Sequence, residues 1–141
     1  MASKNVKTAL ATYEAFNARD LDKAASATTE GVTWEDHGRG ITTKSREEYK
    51  DSLAEWISGF SDGQATELNA IDAGDTVIVQ YVGRGTNDGP MGPVQATGRR
   101  VSVPMVDIQH FDSKGKIDRG ESYFDMFSMM VQLGLAEAPK M

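Results

Sequence analysis

The sequence predicts an α+β fold in which helices come first and a run of antiparallel strands follows. Before Gly63 apolar residues recur at helical spacing, whereas for about sixty residues after it they alternate as in strands. The segment from Asp118 to Leu135 then changes from alternation to helical spacing at Asp125. Helices followed by a block of strands are typical of α+β folds.

Length and composition narrow the class of protein. A chain of 141 residues predicts a single domain over 1–141. Fifteen Lys and Arg against 21 Asp and Glu give a net charge of -6, which argues against nucleic-acid and anionic-membrane partners. The chain has no cysteine, and no apolar run approaches the ~20 residues of a membrane span. We therefore expect a cytoplasmic protein.

Capping residues predict where three N-terminal helices begin. Ser3 is a candidate N-cap for the first helix, and Asp20 is one for a short Ala-rich helix that ends near Ala27. Ser45 and Glu48 have the spacing of a capping box and predict a third helix that ends at about Gly59. The helical positions carry apolar residues: Val6, Leu10, Tyr13 and Phe16 in the first helix, and Tyr49, Leu53, Trp56, Ile57 and Phe60 in the third.

Turn residues separate the predicted strands. Gly74 marks one hairpin, and Gly115 suits the left-handed position of a second hairpin loop. The predicted strands cover residues 32–36, 65–72, 76–86, 101–111 and 116–125, with a loop from Asn87 to Pro93.

The last hairpin allows a register to be predicted from Gly115. A three-residue loop pairs Phe111 with Ile117 and then places odd residues of both strands on one face. The predicted pairs are Gln109 with Arg119, Asp107 with Glu121, Met105 with Tyr123, and Val103 with Asp125. His110 falls on the opposite face with Val106, Ile108 and Phe124, which are apolar enough to predict a homodimer or higher homo-oligomer.

Asp125 has two interpretations at the junction of strand and helix. It is either the N-cap of a helix that carries Met126, Met129, Met130 and Leu133, or a carboxylate that faces a pocket. The two differ physically, because a helix N-terminus lowers the pKa of a carboxyl group and burial raises it. The residues alone leave the choice open.

Several motifs resemble the SnoaL-like polyketide cyclases, within the superfamily of nuclear transport factor 2 and ketosteroid isomerase. The strongest are Gly115-Lys116-Ile117, Glu121-Ser122-Tyr123-Phe124-Asp125 and Gln132-Leu133-Gly134. Further matches are Trp34-Glu35-Asp36, Phe60-Ser61-Asp62, Gly85-Thr86 and Thr97-Gly98-Arg99-Arg100-Val101. The resemblance extends from about Thr8 to Leu135.

The resemblance implies a cone-shaped fold, with three helices on a curved antiparallel sheet that encloses a pocket. In characterised cyclases an aspartate at the end of the last strand transfers the proton in an intramolecular aldol closure, without metal or cofactor, and here it matches Asp125. The implied substrate is a bulky, flat, apolar or aromatic carbonyl compound. The family also contains hydroxylation-related members, so a non-catalytic binding protein and an isomerase or epoxide hydrolase remain alternatives.

Seven further residues are candidates for substrate binding: Gln109, Tyr123, Trp34, His37, Trp56, Phe60 and Met105. The aromatic residues serve equally well as core or pocket wall, and Gln109 as a partner of Arg119. Asp107, Arg119 and Glu121 are interpreted as a structural charge cluster. His37 and His110 lack the spacing of a metal motif, so no metal is expected.

Overall fold

The helices begin at their predicted caps in the computed structural model, which describes residues 3–140. Ser3 accepts a hydrogen bond from the backbone N–H of Val6, and Asp20 accepts one from that of Lys23. Ser45 caps the third helix in the same way. These contacts satisfy backbone donors that a helix cannot pair internally. The four helices are α1 (Lys4–Asn17), α2 (Leu21–Ser26), α3 (Arg46–Gly59) and α4 (Met126–Gln132).

Six strands form one curved, open sheet. They are β1 (Thr28–Asp36), β2 (Ile41–Thr43), β3 (Gln64–Ala73), β4 (Thr76–Thr86), β5 (Arg100–Phe111) and β6 (Ile117–Phe124), in the spatial order β2-β1-β6-β5-β4-β3. Both predicted hairpins are present, and Gly115 has the expected left-handed φ of 78°. The α+β prediction is therefore confirmed.

The sheet is mixed, whereas a purely antiparallel one was predicted. β1 lies beside β6, and the two strands run in parallel. The short β2 was not predicted, and it pairs antiparallel with the end of β1. No local sequence signal reports the β1–β6 pairing, because the two strands lie at opposite ends of the chain.

The predicted register of the β5–β6 hairpin is wrong beyond its first pair. Phe111 pairs with Ile117 as expected, but His110 pairs with Arg119, so Asp118 is an extra residue in β6. This β-bulge moves every later residue of β6 to the other face. The observed pairs are Gln109 with Gly120, Asp107 with Ser122 and Met105 with Phe124.

The inner face of the sheet packs against the helices in two adjoining clusters. The larger cluster joins α1 and the middle of the sheet, and includes Ala9, Val32, Val77, Val79 and Ile117. The smaller one joins the ends of α3 and α4 to β5. Phe124 packs in this second cluster beside Trp56, so its predicted place on the outer face is wrong. Within residues 3–140, no helix is both long and apolar enough to cross a membrane.

Candidate functional site

A cavity of about 140 Å³ lies between the inner face of the sheet and helices α1, α3 and α4. Its wall is mainly apolar, with polar groups contributed by α1, α3 and most strands of the sheet. The apolar part of the wall is formed by Phe16, Trp34, Leu53, Trp56, Phe60, Ala65, Val101, Val103, Met105 and Met129. An apolar wall with a few buried polar groups is the usual composition of a small-molecule site.

Five of the predicted site residues line this cavity: Gln109, Trp34, Trp56, Phe60 and Met105. Trp34 and Trp56 are the only tryptophans of the chain. The Trp34 indole N–H donates a hydrogen bond to the hydroxyl of Ser122, 2.8 Å away. These residues come from β1, α3 and β5, which surround the space from three sides.

Asp125 does not face the cavity, contrary to the prediction. Its side chain is exposed, and it accepts a hydrogen bond from the backbone N–H of Ser128 at 3.1 Å, as the N-cap of α4. The strand ends at Phe124 before Asp125 is reached, so its carboxylate is turned to the helix N-terminus. The N-cap interpretation is therefore the one that fits the structure.

Tyr123 and His37 also lie outside the cavity, contrary to the prediction. The bulge at Asp118 puts Tyr123 on the outer face, where its ring stacks on that of His37 with centroids 4.6 Å apart. His37 Nε2 lies 3.3 Å from the carboxylate of Glu35. Both side chains are about four-tenths exposed, so they form an aromatic surface pair.

The predicted charge cluster is divided between the two faces of the sheet. Glu121 lies on the outer face, where it contacts His110 at 3.0 Å and Arg119 at 3.2 Å. Asp107 lies on the inner face, opposite Ser122. The bulge thus separates two carboxylates that were expected to face each other, and it leaves Asp107 on the cavity side without Glu121.

Asp107 is the centre of a buried hydrogen-bond network. Its Oδ2 accepts hydrogen bonds from the hydroxyl of Tyr13 at 2.6 Å and from that of Tyr81 at 3.1 Å. The Tyr13 oxygen in turn accepts one from Gln109 Nε2 at 3.1 Å. Oδ1 of Asp107 is buried and has no hydrogen-bond partner within residues 3–140. One carboxylate oxygen is thus held in place and the other is available.

The surroundings of Asp107 favour its protonated form. Burial raises the pKa of its carboxyl group from 3.8 to about 6, although the hydroxyls of Tyr13, Ser122 and Tyr81 oppose the change. Burial, followed by the charge of Asp107, holds the pKa of Tyr13 and of Tyr81 well above 10. The tyrosines therefore remain hydrogen-bond donors, while Asp107 can release and accept a proton near neutral pH.

A buried ion pair forms a second polar part of the wall. Arg39 Nε lies 2.6 Å from Asp36 Oδ2, and Arg39 Nη2 donates to the hydroxyl of Ser52 at 2.7 Å. The guanidinium carbon lies 4.6 Å from the centre of the Trp56 ring, within the range of a cation–π contact. Asp36 comes from the end of β1 and Arg39 from the turn that follows it, so this pair is built locally.

Two glycines allow aromatic rings to lie directly on the backbone around the cavity. A Cβ atom at Gly120 would be 2.2 Å from the Trp34 ring, and one at Gly38 would be 2.1 Å from the Phe124 ring. Real Cβ atoms do not approach other atoms so closely, so any side chain at either position would displace the ring. The absence of a side chain at Gly120 therefore fixes the position of Trp34 in the wall.

No sequence pattern predicted a site role for Tyr13, Asp36, Arg39 or Tyr81, and Asp107 was predicted to belong to a structural charge cluster. Tyr13 fits the apolar face of α1, so nothing local marks its hydroxyl as functional. For Asp107, one usable signal existed: it is the single charged residue among the alternating positions 101, 103, 105, 107, 109 and 111 of the strand. Among the described residues, no group of three or more His, Asp or Glu is arranged to hold a metal ion.

Comparison with known proteins identifies relatives by sequence profile and by fold. A profile described as SnoaL-like polyketide cyclase matches residues 7–133. No curated protein matches the sequence significantly. A candidate SnoaL-like polyketide cyclase from Jannaschia sp. is 23% identical, with a TM-score of 0.84, over 96% of this chain and 94% of the other.

Two further solved structures show the same fold. IdmH from Streptomyces antibioticus, a candidate polyketide cyclase, is 25% identical with a TM-score of 0.79, over 94% of this chain and 99% of its own. A protein from Catenulispora acidiphila with a ketosteroid isomerase-like fold, solved in complex with trimethylamine, is 22% identical with a TM-score of 0.78, over 94% of this chain and 97% of its own.

Proposed function

Because the chain belongs to the SnoaL-like polyketide cyclase family, we propose that it is a cofactor-independent acid–base enzyme whose proton-transfer group is Asp107. The observation that carries this proposal is the position of Asp107: it lines the cavity, is buried and has a raised pKa of about 6. A general base works best when its pKa lies near the working pH. Asp125, by contrast, is exposed, caps α4 and does not line the cavity.

The proposed reaction is proton abstraction next to a carbonyl group, followed by an intramolecular aldol closure or an isomerisation. The free Oδ1 of Asp107 takes a proton from the activated carbon, and the electron pair of that C–H bond remains on the substrate. In the aldol case the carbanion forms a C–C bond to a second carbonyl carbon. The resulting alkoxide then takes the proton back from Asp107, so the enzyme returns to its starting state.

The cavity volume favours a compact substrate. An engineered cavity of roughly 150 Å³ holds benzene, whereas sites for drug-sized ligands have roughly 300–1,000 Å³. At about 140 Å³, this cavity matches a single substituted ring. We therefore propose a carbonyl compound of that size in place of the bulky, flat substrate that the family resemblance implies.

Deuterium exchange tests proton abstraction without knowledge of the natural substrate. Phenylacetone has one ring and acidic C–H bonds between the ring and the carbonyl, and loss of their NMR signal in D₂O reports abstraction. We expect the wild-type protein to accelerate exchange and Asp107→Asn to lower the rate by about 10²–10⁴-fold, the usual contribution of a positioned base. Asn keeps the shape of the side chain and can still accept hydrogen bonds from the tyrosines.

Asp125→Asn is the matched control for this experiment. It makes the same chemical change outside the cavity and should leave the exchange rate unchanged. Exchange that persists in Asp107→Asn, or that disappears only in Asp125→Asn, would contradict the assignment. Binding of phenylacetone without any acceleration of exchange would favour a non-catalytic binding protein on the same fold.

The Asp36–Arg39 pair supports a second candidate function, epoxide hydrolysis. That chemistry requires a carboxylate and an arginine in the cavity to position water and to polarise the epoxide oxygen, and both are present beside Trp56. Hydrolysis of styrene oxide in ¹⁸O-labelled water would insert one labelled oxygen into the diol. Rapid diol formation together with no exchange of phenylacetone would favour the hydrolase.

We also propose that the outer face of the sheet is an interface between two copies of the chain. Its apolar residues include Val106 and Ile108 in β5 and Ile78 in β4, beside the more exposed Ile71 and Tyr123. An apolar sheet face of this kind is usually covered by a partner. Sedimentation at micromolar concentration should give a dimer or larger assembly, and a 15.3 kDa monomer would contradict it.

A further inference from the structure

Three buried polar atoms in the cavity wall have no hydrogen-bond partner in the part of the chain that the structure describes. Within residues 3–140, four buried side-chain polar atoms are unpartnered, and only that of Thr43 lies outside the cavity wall. The others are Nη1 of Arg39, Oδ1 of Asp107 and Oε1 of Gln109. An unpaired buried polar atom costs free energy, so native proteins usually pair it. The grouping of one donor and two acceptors around one space indicates a ligand that pairs with them.

Arg39 is held on several sides, but its Nη1 hydrogens remain available. Asp36 and Ser52 accept from Nε and Nη2, and Trp56 stacks on the guanidinium. Nη1 lies 3.4 Å from the carboxylate of Glu55, close enough for an ion pair but outside hydrogen-bond geometry. The Arg39 side chain is 9% exposed, so its position is fixed and water has little access to it.

The charges around Arg39 favour a neutral acceptor over an anion. Asp36 already compensates the guanidinium, and Glu55 adds a second negative charge at its other edge. Asp107 contributes a further carboxylate to the same cavity. A bound carboxylate would be repelled by these groups, whereas a carbonyl oxygen can accept from Nη1 without adding charge.

Gln109 offers the complementary group. Its side chain is 1% exposed, and its Nε2 donates to the Tyr13 oxygen. That donation fixes the orientation of the amide, because the Tyr13 hydroxyl itself donates to Asp107. Oε1 is therefore an acceptor, and its natural partner is a hydroxyl group.

We infer that Arg39 and Gln109 determine substrate specificity, by binding a compact neutral ligand that carries both a carbonyl oxygen and a hydroxyl group. The carbonyl oxygen accepts from Arg39 Nη1, and the hydroxyl donates to Gln109 Oε1. This inference deepens the proposed function, since it names the substrate class of the same cavity. The binding pattern itself requires no proton transfer at Asp107, so it is tested separately.

Three probes of nearly equal shape separate the two contacts. The first, 4-hydroxyacetophenone, carries both groups, acetophenone lacks the hydroxyl, and 4-ethylphenol lacks the carbonyl. The indole N–H signals of Trp34 and Trp56 report binding in an NMR titration, because both tryptophans line the cavity. For the wild-type protein we expect 4-hydroxyacetophenone to bind about tenfold more tightly than either of the others, the value of one hydrogen bond.

Two substitutions should each remove one of these preferences. Arg39→Lys keeps a positive charge beside Asp36 but has no counterpart of Nη1. The affinity for 4-hydroxyacetophenone should therefore fall to about that for 4-ethylphenol. Gln109→Met keeps the length of the side chain without its acceptor, so the preference over acetophenone should disappear. Asp125→Asn should leave both preferences unchanged.

Several results would overturn the inference. They are equal affinities of the wild-type protein for all three probes, no binding of any of them, or an unchanged preference in Arg39→Lys and in Gln109→Met. If Arg39→Lys does not fold, the wild-type comparison and Gln109→Met decide the question. Because no step involves proton transfer, failure of the deuterium-exchange experiment with intact probe preferences would refute the proposed reaction alone.

Discussion

Asp107 and Asp125 are two aspartates in opposite environments. Asp107 lies inside a strand in the middle of the sheet, where burial raises its pKa and two tyrosines hold one of its oxygens. Asp125 lies at a strand–helix junction in solvent, where it caps a helix. Removal from water raises the pKa of a carboxyl group, so the position of an aspartate at the end of a strand is by itself no sign of an acid–base role.

The same difference applies to the two faces of the sheet. Inward-facing residues of β5 line a cavity that closes over Asp107, while the outer face carries Glu121 together with His110, Arg119 and Tyr123. Glu121 has three partners for its carboxylate, whereas Oδ1 of Asp107 has none among residues 3–140. A charge with every oxygen paired is structural in character, and a buried oxygen without a partner is available to a ligand.

The largest expected effect is on stability. Asp107→Asn should be more stable than the wild-type protein, by an amount that depends on pH. A folded pKa of about 6 against an ordinary value of 3.8 corresponds to a penalty on the order of 3 kcal/mol when the group is ionised. Because the folded pKa is raised, the penalty is absent below pH 4 and complete above pH 6. Urea unfolding should therefore show similar stabilities at pH 4 and a more stable Asp107→Asn at pH 7.5.

Asp125→Asn is the control for that measurement, since Asn is also a good N-cap. Its difference in stability from the wild-type protein at pH 7.5 should be small. Parallel pH curves for the wild-type protein and Asp107→Asn would show that Asp107 is not desolvated.

The next prediction concerns the two tyrosines, Tyr13 and Tyr81, that donate hydrogen bonds to Asp107. Tyr13→Phe removes a hydrogen bond that lowers the pKa of Asp107, so the pKa should rise further. A hydrogen bond to a charged group is worth about 1.5–3 kcal/mol, so we expect the midpoint of the deuterium-exchange pH profile to rise by about one pH unit or more. Tyr81→Phe should raise it less, because the Tyr81 contact is longer. An unchanged midpoint in Tyr13→Phe would separate Asp107 from the exchange reaction.

The smallest effect concerns the helix cap. Asp125→Ala removes the acceptor of the Ser128 N–H and should cost about 0.5–2 kcal/mol of unfolding free energy at neutral pH. Asp125→Asn should lower the free energy of unfolding much less, because Asn is also a good N-cap. Thermal unfolding of both variants measures the difference, and an equal loss in the two would mean that the cap contributes through its charge.

Local chemistry explains why much of the fold could be predicted. Ser3, Asp20 and Ser45 cap their helices through contacts that span three residues, so the signal lies within a single window of sequence. Gly115 likewise predicts its own left-handed conformation. Contacts of this kind depend on neighbours in the chain and are readable without any knowledge of the tertiary structure.

The site could be predicted only in part, because its central contacts are distant in sequence. Tyr13 and Asp107 are 94 residues apart, and no local pattern indicates their hydrogen bond. The bulge at Asp118 is equally hidden, yet one extra residue moves Tyr123 out of the cavity and Ser122 into it. The apolar wall residues were predictable because large aromatics near a buried sheet face tend to be enclosed.

Gly120 lies directly under the Trp34 ring and so affects the volume of the cavity. A codon change of one base turns Gly120 into alanine, and the added methyl group would push the indole ring away from β6. The size of the cavity thus depends in part on residue 120, which is not one of the residues that line it. A single change at Gly120 would therefore alter the space beside Trp34 without replacing Asp107, Gln109 or Arg39.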